Sequence, residues 1–303
     1  MKIFFGIDGG GTKTRIKAER EDGAILYDGE TTSSNQFAVG KEKAVETVRS
    51  LIIAAITKTE VSGSIYGCLG LAGLGREEDR KPFCDMLSAL LPSSSVRLTT
   101  DAEILLAGGL GNRPGIALIA GTGSIALMRL DDGCMIRSGG MGWRLGDEGS
   151  AWWIAHEAIR RTLRSLEGRD METSMTDALL EHYHLEKPES FITLINDEKT
   201  EKSAIASGAR IVTDAAIRGD RLAIDILGKA TDELKMLITS LLKRTGNRNT
   251  DIVFYGGVLE KDEYIRSDLA AKLKDEPVTI LPKPKHSALD GALMIARSLQ
   301  QRS

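Results

Sequence analysis

The spacing of hydrophobic residues along the chain alternates between short apolar runs, which predict strands, and helical spacing, which predicts helices. These elements occur in an order that repeats. Residues 2–7 form an apolar run typical of a strand, and two further short strands are expected at residues 14–19 and 25–29. Apolar side chains at helical spacing then predict a long helix over residues 40–58. Four more elements follow: a strand at 64–72, a helix at 78–91, a strand at 95–100 and a helix at 102–108.

The same order begins again after residue 113. An apolar strand at 114–120 leads into a glycine-rich turn, and strands at 125–130 and 134–138 follow. Residues 7–12 and 119–124 occupy matching places in the two halves, which indicates an internal duplication.

The remainder of the chain is predicted to be mostly helical until strands return near its end. The predicted helices lie at 150–165, 171–182, 203–217, 221–243, 263–274 and 286–299, and the strands at 251–255 and 278–281. Glycine and proline crowd residues 108–114, so we predict an N-terminal lobe over 1–112 and a C-terminal lobe over 113–303. The helical stretch at about 147–245 is then an insertion, and the last helix, about 287–303, is expected to pack back on the N-terminal lobe.

Composition and charge narrow the class of protein. The 303 residues are 42% hydrophobic and 27% charged, with a net charge of −3, which is typical of a globular protein and does not favour nucleic acid or acidic membranes as partners. The opening apolar run is too short for a signal peptide, and no stretch reaches the roughly 18 apolar residues of a membrane span. We therefore expect a cytoplasmic protein, whose three cysteines (Cys68, Cys84 and Cys134) are reduced and face the core.

Three glycine turns follow predicted strands, at residues 9–11, 121–123 and 256–257. Glycine lets backbone N–H groups approach phosphate oxygens closely, so these turns are candidate phosphate sites, although a single one could equally be a tight turn. A P-loop would need lysine where Thr12 stands, and it would lead into a helix. A dinucleotide-binding loop would also lead into a helix, whereas both turns here lead into strands.

These motifs together resemble the actin, hexokinase and Hsp70 superfamily. Residues 6–14 are similar to its first phosphate motif, residues 120–124 to its second, and residues 255–258 to its adenosine motif. Within that superfamily, the segment 139–151 resembles the BadF/BadG/BcrA/BcrD group, whose sugar-kinase branch includes N-acetylglucosamine and glucosamine kinases. The resemblance extends over nearly the whole chain, to residues 287–293.

The resemblance implies an α/β fold of two actin-like (ribonuclease H-like) lobes. Each lobe would be a five-stranded mixed sheet with helices, and ATP and a sugar would bind in the cleft between them. The implied activity is transfer of the γ-phosphate of ATP, with Mg²⁺, to a hydroxyl of N-acetylglucosamine, most simply its 6-hydroxyl. Glucosamine or glucose kinase activity is the alternative. Two other classes stay open: an ATPase that activates a dehydratase through an iron–sulfur cluster, and a sugar-sensing regulator without catalysis. A homodimer is compatible with the sequence.

The resemblance also assigns roles to individual residues. Asp101 would be the catalytic base, and Asp8 would hold Mg²⁺ through water. The implied nucleotide contacts are Asp8, Gly10, Gly11, Thr12, Lys13, Gly121, Thr122, Gly123, Ser124, Ala216, Gly256 and Gly257. The implied sugar contacts are Asn35, Asp101, Gly140, Met141 and Asp147.

Several of these residues have a purely structural alternative. Asp101 and Asp147 each precede a predicted helix and could simply cap it, Asn35 could belong to a turn, and Ala216 could be a core residue. Met141 departs from the resemblance, because N-acetylglucosamine kinases of the group often have tryptophan there. The preference at the 2-position of the sugar is therefore open.

Overall fold

The structure is a computed structural model that describes residues 2–59, 63–92, 95–246 and 248–300. The chain divides into two compact units. Unit 1 consists of Met1–Arg113 together with Lys283–Ser303, and unit 2 is Pro114–Pro282. Unit 1 is thus assembled from two separate stretches of chain, whereas unit 2 is continuous.

The secondary structure alternates strands and helices within each half of the chain. The strands are β1 (Ile3–Gly9), β2 (Lys13–Arg20), β3 (Ile25–Thr32), β4 (Ile65–Leu71), β5 (Ser95–Thr99), β6 (Gly115–Ala120), β7 (Ser124–Arg129), β8 (Met135–Gly139), β9 (Thr250–Tyr255) and β10 (Val278–Ile280). The helices are α1 (Gln36–Val39), α2 (Lys41–Thr59), α3 (Glu77–Leu90), α4 (Asp101–Leu110), α5 (Ala151–Leu166), α6 (Met175–His182), α7 (Ser190–Asn196), α8 (Lys202–Ala206), α9 (Ala209–Ile217), α10 (Arg221–Arg244), α11 (Gly257–Glu260), α12 (Glu263–Lys272) and α13 (Ala288–Leu299).

Unit 1 is a five-stranded mixed sheet covered by helices on both faces. Its strand order is β3-β2-β1-β4-β5, with β1, β2 and β3 antiparallel and β4 and β5 parallel to β1. Alternate residues of a strand point to opposite faces. Phe5 and Ile7 of β1 therefore join the core under α2 and α3, while Gly6 faces Ala292 of α13. Asp8 continues the second face at the carboxyl end of the strand.

Unit 2 repeats this sheet. Its order is β10-β9-β6-β7-β8, with β6, β7 and β8 antiparallel and β9 and β10 following the direction of β6. The strand order and directions match those of unit 1 element by element, which confirms the duplication predicted from the sequence. The core of unit 2 lies between this sheet and the helices, with α10 contributing the largest share, including Leu227, Leu234 and Leu241.

The helical region of unit 2 differs from the prediction in three places. The helix predicted at 171–182 begins at Met175, and a helix at Ser190–Asn196 was not predicted. The helix predicted over 203–217 is two helices, α8 and α9. The Tyr183 hydroxyl donates to the carbonyl of Ile205 at 2.6 Å, so that side chain competes for the carbonyl groups where α8 ends.

The cysteine prediction is correct for one residue and wrong for two. Cys68 is fully buried on β4, where burial raises the pKa of its thiol to about 12. Cys84 and Cys134 are exposed. Cys84 lies on the outer side of α3, and Cys134 lies in the turn before β8.

Candidate active site

The first glycine turn joins β1 to β2 and forms an open hollow in unit 1. Gly10 donates its N–H to the carbonyl of Lys13 at 3.0 Å, which closes the turn. A β-carbon added to Gly11 would meet no atom within 4 Å, so the backbone on that side is open to a ligand. The cavity there measures about 190 Å³ and is lined by Asp8, Gly10, Gly11, Thr12, Lys13 and Arg15.

A row of charged side chains runs across the sheet beside this hollow. Asp8, Arg15 and Glu30 are opposite one another on β1, β2 and β3. Arg15 and Lys13 donate to Glu30 at 2.9 and 3.0 Å. Burial raises the pKa of Asp8, and the positive charges of Arg15 and Lys13 partly offset that rise. The open backbone at Gly11, the cations Arg15 and Lys13 and the Asp8 carboxylate form a set of groups that fits phosphate oxygens and a hydrated Mg²⁺ ion.

Asp101 is the first residue of α4, and it does not serve as the helix cap. Thr100 is the cap residue, because its hydroxyl accepts the N–H of Glu103 at 3.3 Å. The Asp101 carboxylate accepts the N–H of Ala102 at 3.0 Å. Burial raises the pKa of Asp101 to about 6, and the neighbouring negative charge of Asp8 adds to the rise. The fold of unit 1 thus brings the two predicted carboxylates close enough to influence each other.

Asn35 is tied to the first glycine turn through Ser33. The Ser33 hydroxyl donates to the carbonyl of Gly10 at 3.0 Å and accepts the N–H of Asn35 at 3.1 Å. The Asn35 side-chain oxygen accepts the N–H of Phe37 at 3.1 Å, so it caps the short helix α1. The amide –NH₂ group of Asn35 is left free of this cap and can donate to a ligand.

The second glycine turn, in unit 2, is fixed to the segment before α5. Gly121 accepts the N–H of Ala151 at 2.8 Å. The Ser124 hydroxyl donates to the carbonyl of Glu148 at 2.7 Å, and the Ser124 N–H donates to Asp147 Oδ1 at 3.1 Å. The backbone of this turn is therefore held in place before any ligand binds, as a phosphate-binding loop requires.

Asp147 is buried, with 5% of its surface exposed, and it adopts a positive φ of 62°. Ser150 is the cap of α5, since its hydroxyl accepts the N–H of Trp153, so the capping alternative for Asp147 is wrong. The second oxygen of Asp147 accepts from Lys202 Nζ at 2.5 Å. A non-glycine residue is rarely held in the left-handed region unless the surrounding contacts fix it there.

Two more predicted segments lie against the second glycine turn. A β-carbon on Gly256 would be 2.4 Å from the carbonyl oxygen of Ala120, so glycine is needed for this contact. Gly140 donates its N–H to the carbonyl of Ser124 at 3.1 Å. The next residue, Met141, is 57% exposed. In unit 2, the second glycine turn is therefore in contact with the predicted adenosine motif at Gly256 and with the predicted sugar segment at Gly140.

Ala216 is the predicted site residue with the least support. Its side chain is buried within the hydrophobic core of unit 2. The core alternative therefore accounts for its position, and its adenine contact stays a prediction.

A family model matches residues 5–296, and its description is the BadF/BadG/BcrA/BcrD ATPase family. The chain belongs to this family. The prediction made from the glycine motifs and residues 139–151 is thereby confirmed. Membership in an ATPase family also implies that ATP is used.

Relatives of the chain are kinases by name. It is 34% identical over 305 residues to an N-acetylmuramic acid/N-acetylglucosamine kinase of Clostridium acetobutylicum, covering 98% of this chain and 99% of the relative. It is 33% identical over 288 residues to an N-acetyl-D-glucosamine kinase of Dictyostelium discoideum, covering 89% of each. A crystal structure from Chromobacterium violaceum, of a protein provisionally named an N-acetylglucosamine kinase, matches with a TM-score of 0.78 and 26% identity, over 98% and 99% of the two chains.

The fold prediction agrees with these structures. Two lobes, each a five-stranded mixed sheet with helices, were expected from the resemblance, and the α/β fold is confirmed. In the part of the chain that the structure describes, no helix combines the length and the apolar character needed to cross a membrane.

Two residues of the site were not predicted from the sequence, Arg15 and Lys202. Arg15 could have been found, because it lies seven places after Asp8 across a short hairpin. Lys202 is 55 residues from its partner Asp147, and an ion pair of that separation leaves no local pattern.

Proposed function

We propose that this member of the BadF/BadG/BcrA/BcrD family transfers the γ-phosphate of ATP to a hydroxyl of N-acetylglucosamine, the 6-hydroxyl. The observation that carries the proposal is Asp101, a partly buried carboxylate with a pKa of about 6, close to Asp8 at the open glycine turn. A general base works best when its pKa lies near the working pH, because it is then mostly ionised and still accepts a proton readily. The names of the two curated relatives support the choice of sugar.

Asp101 and Asp8, the two predicted carboxylates of unit 1 at the candidate site, have distinct roles in this proposal. Asp101 orients the attacking hydroxyl and accepts its proton. Asp8 holds Mg²⁺ through water, with Arg15 and Lys13 limiting the rise of its pKa and so favouring its ionised form. ATP and Mg²⁺, when bound, supply the phosphoryl group and the neutralisation of its charge. The N–H groups of Gly11 and Thr12 and the Thr12 hydroxyl bind phosphate oxygens.

Unit 2 supplies the remaining contacts in the proposal. The turn at 121–124 binds phosphate oxygens, and residues 256–257 contact the adenosine. Gly140, Met141 and Asp147 are the sugar contacts that we propose in unit 2, and Asn35 and Asp101 are those that we propose in unit 1. Asp147 keeps a lone pair on each oxygen beyond those used by Ser124 and Lys202, so it can still accept from sugar hydroxyls.

A sugar panel in an assay that detects ADP tests the proposal. N-acetylglucosamine, N-acetylmuramic acid, glucosamine and glucose are compared at equal concentrations, with ATP and Mg²⁺. We expect kcat/KM to be highest for N-acetylglucosamine. Clearly better turnover of glucosamine or glucose would contradict the choice of sugar, and ATP hydrolysis without phosphorylation of any sugar would contradict kinase activity.

The Asp101→Asn variant tests the assignment of the base. Asparagine keeps the shape and the hydrogen bond to Ala102 but accepts no proton. We expect kcat to fall by roughly 10²–10⁴-fold, with sugar binding measured by calorimetry nearly unchanged. Full activity of the variant would overturn the role of Asp101.

The structure disfavours the iron–sulfur activator. Cluster ligands are thiolates, and burial keeps the Cys68 thiol neutral, with its pKa raised to about 12. Cys84 and Cys134 are both exposed, and they belong to different units.

A further inference from the structure

Lys202 lies at the second glycine turn and has no role in the site predicted from the sequence. It begins α8, and its ammonium nitrogen is 2.5 Å from Asp147 Oδ2. A β-carbon on Gly123 would lie 3.0 Å from that nitrogen and 3.0 Å from each Asp147 oxygen. The ion pair therefore rests directly on the bare backbone of Gly123, in the middle of the turn that is expected to hold phosphate.

A cation is required to balance the negative charges that meet at this turn when phosphate binds. Asp147 accepts the N–H of Ser124 at 3.1 Å, which places a buried carboxylate against the loop. A phosphate bound to the same loop would be repelled by that carboxylate, because like charges a few ångströms apart interact strongly where water is scarce. The ammonium of Lys202 is in a position to balance both negative groups.

The ammonium also has unused hydrogen-bonding capacity. Lysine carries three N–H donors, and within the described residues Asp147 is the one hydrogen-bond partner of Lys202. Its side chain is 25% exposed, so the other donors are accessible from outside. Buried Asp147 holds the flexible lysine stem in place, which lowers the entropy lost when the ammonium binds a second anion.

We propose that Lys202 is a further phosphate-binding residue of the second glycine turn, whose ammonium bridges Asp147 and a phosphate oxygen of the nucleotide. This proposal rests on the proposed function only in that the nucleotide binds at the turn. The absence of a side chain at Gly123 then also allows the ion pair to lie against the loop, because any side chain there would displace Asp147 and Lys202.

Direct binding of ADP, measured by calorimetry without sugar, tests the proposal. We expect Lys202→Met to raise the Kd for ADP by roughly tenfold or more, the effect of losing one charge-assisted hydrogen bond. Lys202→Arg is expected to recover most of the affinity. Lys199→Met is a matched control: Lys199 is exposed and three residues away, so the same change of charge should leave the Kd within about twofold.

Two further variants separate phosphate binding from support of Asp147. Asp147→Asn removes the negative charge but keeps a side-chain oxygen that can accept from Lys202 and hold its stem in place, so we expect ADP to bind this variant at least as tightly as it binds the wild type. If Asp147→Asn weakens ADP as much as Lys202→Met does, Lys202 acts only through Asp147 and the proposal is wrong. The double variant Asp147→Asn/Lys202→Met leaves no unpaired buried charge, so it remains a valid test should Lys202→Met fold poorly.

The anion bound by Lys202 could also be the carboxylate of an acidic sugar. In that case Lys202→Met would lower kcat/KM for N-acetylmuramic acid relative to N-acetylglucosamine and leave the Kd for ADP unchanged, which would overturn the phosphate assignment. The ADP-binding results do not depend on which sugar the protein phosphorylates, because ADP binding is measured without sugar. Weak ADP binding by Lys202→Met with no sugar turnover by the wild type would support Lys202 and reject the proposed substrate.

Discussion

Asp101 shows how burial adjusts a single side chain to a chemical task. Partial burial of the Asp101 carboxylate and the nearby charge of Asp8 both raise its pKa, to about 6. The carboxylate must be ionised to accept a proton. Its pKa therefore sets the lower pH limit of the proposed reaction.

We predict that kcat/KM for the preferred sugar falls about tenfold per pH unit below pH 6, because the ionised fraction of Asp101 falls by that factor. A pH–rate profile in buffers of constant ionic strength measures this. A profile that stays flat down to pH 4.5 would exclude Asp101 as the group that must be ionised.

We also predict that Asp101→Asn increases stability. The folded-state pKa of Asp101 lies above the ordinary value of 3.8, so ionisation destabilises the folded protein progressively as the pH rises from about 4 to about 6, and fully above that range. At pH 7.5 the neutral amide should therefore increase the free energy of unfolding by about 1–2 kcal/mol, or raise Tm by roughly 2–4 °C.

The pH dependence of the Tm difference between the wild type and Asp101→Asn is the control for this prediction. As the pH falls below 6, the wild-type carboxylate takes up a proton, and the difference in Tm between the two proteins should shrink. A constant difference between pH 5 and pH 7.5 would show that it does not arise from the charge of Asp101.

Helices α4 and α13 of unit 1 pack closely where Gly291 faces α4. A β-carbon on Gly291 would lie 2.0 Å from the carbonyl oxygen of Ile104 and 2.5 Å from the N–H nitrogen of Gly108. The backbones of the two helices are thus in contact, and Ala107 of α4 packs in one buried cluster with Cys68 of β4.

We predict that Gly291→Ala lowers the free energy of unfolding by about 1–3 kcal/mol, because the added methyl group must push the helices apart. Gly228→Ala, in the middle of α10, is the control. A β-carbon there would meet no atom within 4 Å, so alanine should leave stability unchanged or raise it by up to about 1 kcal/mol. Urea denaturation of both variants measures the difference, and equal stabilities would contradict the predicted clash.

Elements with a local signal could be predicted from the sequence, and elements defined by distant contacts could not. The strands follow from their apolar runs and glycine turns, and most of their ends agree with the structure to within one or two residues. At the division between α8 and α9, the carbonyl of Ile205 accepts from Tyr183, about twenty residues earlier, and no hydrophobic periodicity reports such a contact. The ion pair of Lys202 with Asp147 left no sequence signal for the same reason, whereas Asp8 and Asp101 were identified because the resemblance assigns roles to both.

The whole molecule has an interrupted chain order, since unit 1 includes Met1–Arg113 and Lys283–Ser303 while unit 2 is Pro114–Pro282. His286 donates its N–H to the carbonyl of Gly108 at 2.9 Å, so the two stretches of unit 1 meet near their junctions. A short linker could therefore join them directly.

We predict that a fragment of residues 114–282 unfolds cooperatively, because it contains the complete core of unit 2. A fragment of residues 1–113 lacks α13 and should not. Joining residue 113 to residue 283 by a few glycine and serine residues should restore cooperative unfolding of unit 1. Circular dichroism in urea tests all three, and a stable 1–113 fragment would show that α13 is dispensable.

This chain order also bears on how the protein is made. A ribosome releases β1 and β4 early, but the helix that covers their second face, α13, is translated after all of unit 2. The second unit can thus complete its core while the first still exposes an apolar surface around Cys68 to the cell. Unit 1 begins synthesis first but completes its core last, when α13 has been translated. During translation, unit 1 is therefore the part whose exposed apolar surface a chaperone would bind.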